Sequence, residues 1–469
     1  MNILLVYPEF PETFWSFRHA LKFIGKKASM PPLGLLTVAS MLPPDWQLRL
    51  VDMNVQRLSR ADLEWADCVF LSAMVAQSAS AHEVADRCQA VGTPVVAGGP
   101  LFSGEHEAFP GVAHFILGEA EVTLPLFLAD LAGGQPQRIY RSDEKPALSQ
   151  TPPPRWDLVD MGCYASMCIQ FSRGCPFNCD FCNITALFGR TPRVKSAPQL
   201  MAELEALYQA GGRGDIFFVD DNFIGNRRAL KEEVLPALIR WRQDKPHVSF
   251  STEVSINLAD DAELLRLMVE AGFTTVFIGI ETPDEESLAE CSKIQNRGRD
   301  LVACVRRLHQ AGLDVQGGFI VGFDSDRPNI FDRQIRFIQE SGIVTAMVGL
   351  LQAPHGTRLY ERLRREGRLL RETSGNNTDT SMNFIPCMDL QVLTAGYQRI
   401  VETIYDPEAY YQRVKTFLRQ YMPADVVRPR IRVPELGAFF KSICLLGIRG
   451  RERAQYWRLL FWTLFRRPR

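Results

Sequence analysis

Net charge is nearly absent from this chain: 53 Lys and Arg face 54 Asp and Glu across 469 residues, a formal charge of −1. Bulk charge therefore gives no reason to expect nucleic acid as a partner. No uninterrupted apolar run is long enough to span a bilayer. Histidine is scarce, at 7 residues, and forms no cluster. There is no internal repeat and no low-complexity tract. The start, Met1–Pro8, has neither a basic stretch nor a long apolar core, so it reads as a first β-strand rather than a signal peptide. The eleven cysteines are odd in number and follow no regular framework outside one triplet. Free thiols of this kind suit a reducing cytosol, and a cytoplasmic location is expected. Hydrophobic residues supply 46% of the chain, and its length suggests two or three domains.

What is present is the triplet. Residues 171–183 read Phe171-Ser172-Arg173-Gly174-Cys175-Pro176-Phe177-Asn178-Cys179-Asp180-Phe181-Cys182-Asn183, a C-x3-C-x2-C spacing. Three thiolates this close can hold three irons of a [4Fe–4S] cube and leave the fourth iron open to a small chelating molecule. An ordinary ferredoxin cluster takes four cysteines. A zinc site also takes four ligands, typically as two separated pairs. No fourth Cys or His lies close after Cys182. A partial zinc site is the plainer alternative, and the flanking Ser172-Arg173-Gly174, Pro176 and Phe181 weigh against it. This loop resembles the cluster loop of radical S-adenosylmethionine (SAM) enzymes. The resemblance implies Cys175, Cys179 and Cys182 as the catalytic metal ligands, with the amino and carboxylate groups of SAM on the free iron.

Residues 1–145 alternate short apolar runs with helical stretches. Strands are expected at Asn2–Tyr7, Leu48–Asp52, Cys68–Ser72, Pro94–Ala97 and His114–Leu117, with helices at Leu33–Leu42, Ala81–Val91 and Val122–Leu131. Apolar strands alternating with helices imply a Rossmann-like parallel sheet covered on both faces. Ligands bind such sheets at the carboxyl ends of the strands. Gly98, Gly99 and Gly118-Glu119 lie at those ends, where a missing side chain lets a bulky ligand approach the backbone. Tight turns are their plainer use. The loop Ser72–Ser80, with Ser72 and Gln77, is the candidate to face such a ligand. Together Pro31-Pro32-Leu33-Gly34, Val51-Asp52, Gly98-Gly99-Pro100 and Gly118-Glu119-Ala120-Glu121 resemble the cobalamin-binding domain that precedes the barrel in one radical SAM class. One departure stands out: the D-x-H-x-x-G motif is missing, since Asp52-Met53-Asn54-Val55-Gln56-Arg57 follows Val51. The resemblance then implies cobalamin whose cobalt takes no histidine from this motif. A Rossmann-like domain kept only for packing is the alternative.

Residues 146–157 hold four prolines and read as an extended, stiff linker. Residues 158–370 resume the alternation. Strands are expected at Cys168–Ser172, Ile216–Asp220, Ser249–Val254, Val276–Ile280, Val315–Val321 and Thr345–Leu350, with helices that include Pro198–Ala210 and Leu230–Trp241. Six units fall short of a closed eight-stranded barrel and resemble the open (β/α)6 barrel of radical SAM proteins. That resemblance offers Asp220, Asp221 and Asn222 to the amino group of SAM. It offers Glu253 and Ser255 as polar cofactor contacts at the end of the third strand, Gly279 and Glu281 to the ribose or methionyl part, and Gly318 and Ile320 to adenine, beside Gln352–Thr357. Taken singly, Asp-Asp-Asn suits a helix cap or turn, Glu281 a helix start, the Gly318–Gly322 strand packing, and His355 a turn.

Residues 371–469 read as mostly helical, with a polar loop at Gly375–Asp379 and helices at Leu390–Ile404 and Pro407–Tyr421. From Arg428 onward eleven Lys and Arg face Glu435 and Glu452, a formal charge of +9. Tyr456–Arg467 has apolar aromatic faces flanked by arginines, as an interfacial helix does, giving an expectation of peripheral membrane contact. A helix docked on the protein is the alternative. The tail, with Trp15–Lys27, Asp220–Asn226 and Gly375–Thr380, resembles the hopanoid C-2 methylase group of the cobalamin radical SAM class. This implies reductive cleavage of SAM to a 5′-deoxyadenosyl radical, hydrogen abstraction from an unactivated carbon, and methyl donation by methylcobalamin. The substrate expected is a small molecule, lipid-like or polycyclic, with a hopanoid as the candidate, and the electron donor a flavodoxin- or ferredoxin-type protein. Cyclisation, oxidation or rearrangement without methyl transfer stays open. So does a non-enzymatic iron–sulfur or cobalamin sensor.

Overall fold

The computed structural model describes residues 1–376, 379–424 and 433–466. Asn377 and Thr378 of the polar loop lie outside the described residues, as do Arg428, Arg430, Arg432, Arg467 and Arg469 of the basic tail.

Two six-stranded parallel sheets carry the chain. The first holds β1 (Asn2–Tyr7), β2 (Gln47–Asp52), β3 (Cys68–Ser72), β4 (Val95–Gly98), β5 (His114–Leu117) and β6 (Ile139–Arg141). Their order is β2-β1-β3-β4-β5-β6. Ile3, Leu4, Leu5 and Val6 of β1 are wholly buried. Leu4 and Val6 join the core on one face with Val69 and Leu71, and Ile3 and Leu5 join the other with Cys68 and Phe70. That two-sided burial makes the strand read as a continuous apolar run. The strand order reverses between β1 and β3, which opens a crevice at their carboxyl ends. Gln77 donates to Pro8 O (2.6 Å) and Glu9 N–H to Ser80 Oγ (3.0 Å), lacing the two loops that border it.

The second sheet begins with β7 (Met167–Ile169). A separate antiparallel hairpin follows, β8 (Ser172–Arg173) with β9 (Arg193–Val194). The sheet continues through β10 (Asp215–Phe218), β11 (Ser249–Glu253), β12 (Phe273–Glu281), β13 (Asp314–Val321) and β14 (Ala346–Leu350). In the order β14-β13-β12-β11-β10-β7 the edges β7 and β14 do not pair, so the barrel is open.

Several expectations shift. The strand expected at Cys168–Ser172 splits, because Asp220 takes the N–H groups of Phe171 and Ser172 that a ladder would need. The sixth strand of the first sheet was not anticipated, since only Tyr140 of β6 points inward and no apolar run marks it. Ala81–Val91 starts earlier, at Ser78. Leu230–Trp241 contains a π turn at Leu230–Val234 before the helix Leu235–Arg242, whose first turn carries Pro236. In the linker, one-turn helices form at Leu148–Gln150 and Trp156–Leu158, on either side of the prolines 152–154.

Helices Leu390–Tyr405 and Pro407–Gln420 start at Asp389 and Asp406, whose carboxylates cap them. Arg413 on the second is wholly buried. It donates to Gln339 Oε1 (2.8 Å), Ile404 O (2.6 Å) and Val344 O (3.3 Å), tying both helices to the flank of the barrel. Arg413→Leu leaves those acceptors unmatched, and a loss of about 2–4 kcal/mol is expected from the urea unfolding midpoint.

Candidate cluster and cofactor site

The cysteine loop leaves the carboxyl end of β7 and is held from behind by two carboxylates. Asp220 accepts from Phe171 N–H (3.0 Å) and from the N–H and hydroxyl of Ser172. Asp221 accepts from Gly174 N–H (2.9 Å), one residue before the first cysteine. Inside the loop Cys182 N–H donates to Cys179 O (3.2 Å), and Asp180 N–H reaches Cys291 O (3.0 Å). Cys179 is buried, and Cys175 and Cys182 are half-buried. Burial pushes the Cys182 thiol up to about 12 and raises Cys175 as well. Iron would displace those protons on binding. The surroundings keep unpartnered acceptors for a polar guest. Gln295 Nε2 lies 3.7 Å from Cys179 Sγ, while Gln295 Oε1 and Asn296 Oδ1 are buried without a partner. Lys293 Nζ stands 6.0 Å from the ring centre of Phe181. Among the described residues no three His, Cys, Asp or Glu converge as a single metal ion requires. A cube places each thiolate on a different iron and does not ask for that convergence.

Around this loop the strand ends form a polar rim. Sequence reasoning offers Asp220 or Asp221 to an ammonium, but both Asp220 oxygens and one Asp221 oxygen accept from residues 171–174 in front of Cys175. Burial still lifts Asp220 to about 7 and Asp221 to about 6. Asn222 Oδ1 accepts from Ser255 N–H (3.1 Å), joining the ends of β10 and β11. Glu253 has no hydrogen bond among the described residues. Burial, then the negative charge of Asp221, pushes its carboxyl to about 7. Its charge is not consumed by a hydrogen bond to the backbone, unlike that of Asp220.

Glu281 closes β12 with a left-handed backbone (φ 64°) and pairs with Lys293 at 2.6 Å. Burial alone would lower Lys293, but Glu281 and Cys179 outweigh it and hold the ammonium above its usual range. A β-carbon at Gly279 would collide with the Glu281 carboxylate, so the pair requires glycine there. Asn296 donates to Gly279 O (3.0 Å) and Ile280 O (2.9 Å). On β13, a β-carbon at Gly318 would meet Phe277 at 2.8 Å, and Ile320 is half-buried. His355 stacks edge-on against Tyr360 (5.1 Å) beside Gly104 of the first domain.

In the first domain, Ser72 and Gly99 meet. Gly99 has φ 98°, and a β-carbon there would press on Ser72 Oγ at 2.7 Å. Gly98 lies against Ile116 O and Gly118 against Ser142 O. Gln77 is wholly buried and committed to Pro8 O and Met74 N–H (2.8 Å), a framework role. Glu119 is committed as well. It accepts from Arg173 (2.8 Å) and Arg193 (2.7 Å), while Glu121 accepts from Arg173 at 2.8 Å. All four side chains are at most 14% exposed. Thus the hairpin β8–β9 that frames the cysteine loop is bolted to the helix start after β5. Thr151 of the linker donates to Glu121 (2.7 Å), and Pro146 O accepts from Arg193 (2.7 Å).

Sequence reasoning missed Arg193 and Lys293 altogether, and treated Arg173 and Glu121 only as parts of motifs. A readable signal existed for one pair: Arg173 flanks the cysteines with no acid in its own loop before Asp180, and Glu119-Ala120-Glu121 offers two.

Two cofactor-type sheets facing one another across a cysteine loop define a class. Residues 27–128 match the B12 binding domain, residues 169–350 the Radical SAM superfamily, and residues 357–469 a domain of unknown function, DUF4070. The chain belongs to the cobalamin-dependent radical SAM methyltransferase family. It is a radical SAM enzyme, and the family's cofactors are a [4Fe–4S] cluster, SAM and cobalamin. It is 42% identical to an uncharacterized methyltransferase of Synechocystis sp., over 100% of this chain and 88% of that one. It is 32% identical to hopanoid C-2 methylase of Rhodopseudomonas palustris, over 99% of this chain and 90% of that one. The solved cobalamin-dependent SAM radical enzyme OxsB shares the fold, with a TM-score of 0.66 at 16% identity over 99% of this chain and 75% of that one.

Two outcomes are expected. Glu119→Gln strips charge from a buried network and should cost about 3–5 kcal/mol, read from thermal or urea unfolding. Glu253 holds its proton in the folded protein up to about pH 7, well above its unfolded value. Its contribution to stability is therefore present at low pH and lost as pH rises through 7. Glu253→Gln should raise the melting temperature at pH 8 and leave it little changed at pH 5.

Proposed function

We propose that this enzyme methylates an unactivated carbon of a polycyclic, lipid-like substrate, with a hopanoid as the first to test. The observation that carries the methyl-transfer geometry is the buried tie between Arg173, Arg193, Glu119 and Glu121, which sets the cysteine loop against the cobalamin-type sheet. Similarity to the Rhodopseudomonas palustris hopanoid C-2 methylase along 99% of this chain supports the substrate class.

Cys175, Cys179 and Cys182 are the residues that would hold the cluster; the bound cofactors supply one-electron cleavage of SAM and a transferable methyl group. The rest is the work of side chains. Asp220 and Asp221 hold the backbone ahead of Cys175 so that the three thiols keep their mutual spacing. Glu253 offers a carboxylate to the positive charge of SAM, and Glu281 with Lys293 provides one acceptor and one cation beside it. Ile320, with the Phe277 ring that lies over Gly318, gives an apolar edge for a planar ring. The crevice at the carboxyl ends of β1 and β3 is the place for a bulky ligand, and glycine at 99 lets Ser72 pack close beside it. Burial of the rim keeps bulk water from the reacting carbon. A flavodoxin- or ferredoxin-type protein supplies the electron.

The test is anaerobic incubation of reconstituted enzyme with hopanoids and methyl-deuterated SAM, followed by mass spectrometry. A labelled methyl on the polycycle is expected. The triple Ala variant of Cys175, Cys179 and Cys182 should lose both its iron and the label. Deoxyadenosine without S-adenosylhomocysteine or labelled product would overturn methyl transfer. In SAM titrations at pH 8, Glu253→Gln should weaken binding about tenfold, as loss of one partly buried charge contact does.

A further inference from the structure

The C-terminal helices keep one face for the protein and leave the other bare. Helix Val433–Ser442 runs into the π turn Ile443–Arg449, and helix Arg453–Arg466 follows. The inner contacts are specific. Lys441 Nζ reaches the carbonyls of Lys22 (3.5 Å) and Phe23 (3.4 Å). Trp457 Nε1 donates to Gly447 O (2.9 Å), and Ser442 and Tyr456 share a hydrogen bond (2.8 Å). Arg419 stands 5.7 Å over the ring of Trp462.

The outward residues are different. Phe440 is 63% exposed, Ile448 60%, Phe461 52%, Leu464 58% and Phe465 83%. Phe461, Leu464 and Phe465 share one face of their helix by spacing. Lone exposed apolar residues are ordinary, but several together on adjoining helices mark an interaction surface. The charge around them says what it meets. Residues 433–466 hold Lys441, Arg449, Arg451, Arg453, Arg458 and Arg466 against Glu435 and Glu452, a formal +4 in a chain of −1 overall. A second copy of this face would oppose cations with cations. No helix is long and apolar enough among the described residues to cross a membrane.

We propose that this face docks on the surface of a bilayer containing anionic lipid. The phenylalanines enter the headgroup boundary, and the arginines lay their stems along the apolar surface with their heads at phosphate level. That assigns a role to residues within the domain of unknown function. It goes with the proposed lipid-like substrate but does not depend on it, because docking needs neither cofactor nor turnover.

The test is co-sedimentation of the full chain with vesicles of equal parts phosphatidylcholine and phosphatidylglycerol, against pure phosphatidylcholine. The protein should pellet with the anionic vesicles, and much less at 1 M salt, where the screening length falls to about 3 Å. The double variant Phe440→Ser, Phe465→Ser alters exposed positions only. It should keep its melting temperature and its cleavage of SAM, and bind the vesicles at least about tenfold more weakly. Equal pelleting of both proteins, or pelleting of neither, would overturn the proposal. So would sedimentation equilibrium showing a dimer that the double variant dissolves. Vesicle binding without hopanoid methylation would leave docking intact and sink the substrate assignment alone.

Discussion

Two arginines and two glutamates, nearly sealed from water between the sheets, are the contact on which the rest depends. Burying four charges is costly, and the attraction between them offsets that cost only when geometry is good and every oxygen is used. Here both Glu119 oxygens and both Glu121 oxygens are bonded, by Arg173, Arg193 and Thr151. Such a network is far more sensitive to the loss of one member than a surface pair. Its mechanical effect is to make the cysteine hairpin and the first sheet one body. Reactive groups held by different domains need a constant separation, and a buried ionic joint supplies one that an apolar joint would hold with less directional control.

The carboxylates of the barrel rim divide into two kinds. Asp220, Asp221 and Asn222 serve the backbone, fixing the approach to Cys175 and joining neighbouring strands. Glu253 and Glu281 are not consumed by the backbone. Glu281 is neutralised by Lys293, and Glu253 is held near pH 7 by burial and by the neighbouring acids. A site so poised gains when a cation arrives, since the newcomer relieves both burial and like-charge repulsion. The left-handed turn at Glu281 and the glycine two residues before it are the backbone cost of placing that pair.

The helical C-terminal region has two surfaces with different physics. Arg413 and the capped helices bind inward to the barrel through hydrogen bonds that leave no choice of register. The last helices bind inward through a few polar contacts and stay apolar outward. Of the two alternatives for the tail, docking on the protein holds for the inner face of these helices, and the outer face is the one proposed to meet a bilayer.

Alternation of apolar strands with helices was legible because parallel sheets bury both faces, and a period of apolar runs survives any detail of packing. The three cysteines were legible because their spacing is local. The glycines at the end of β4 were read as room for a ligand, with tight turns as the plainer use, and it is the protein's own Ile116 O and Ser72 Oγ that approach them. What could not be read were partners far apart in sequence. Arg173 could be matched to Glu119 and Glu121 only by elimination, Arg193 gave no sign of Glu119, and Lys293 carried nothing to mark it as the partner of Glu281. Whether Asp220 faced a ligand or the backbone of residue 171 depended on where β7 ended, and that depended on Asp220. The sequence by itself determined most of the elements and the spacing of the cysteine loop, because those follow from periodicity and short-range order. Tertiary structure alone decided which charges were free and which were consumed, because burial and pairing arise only when distant segments meet.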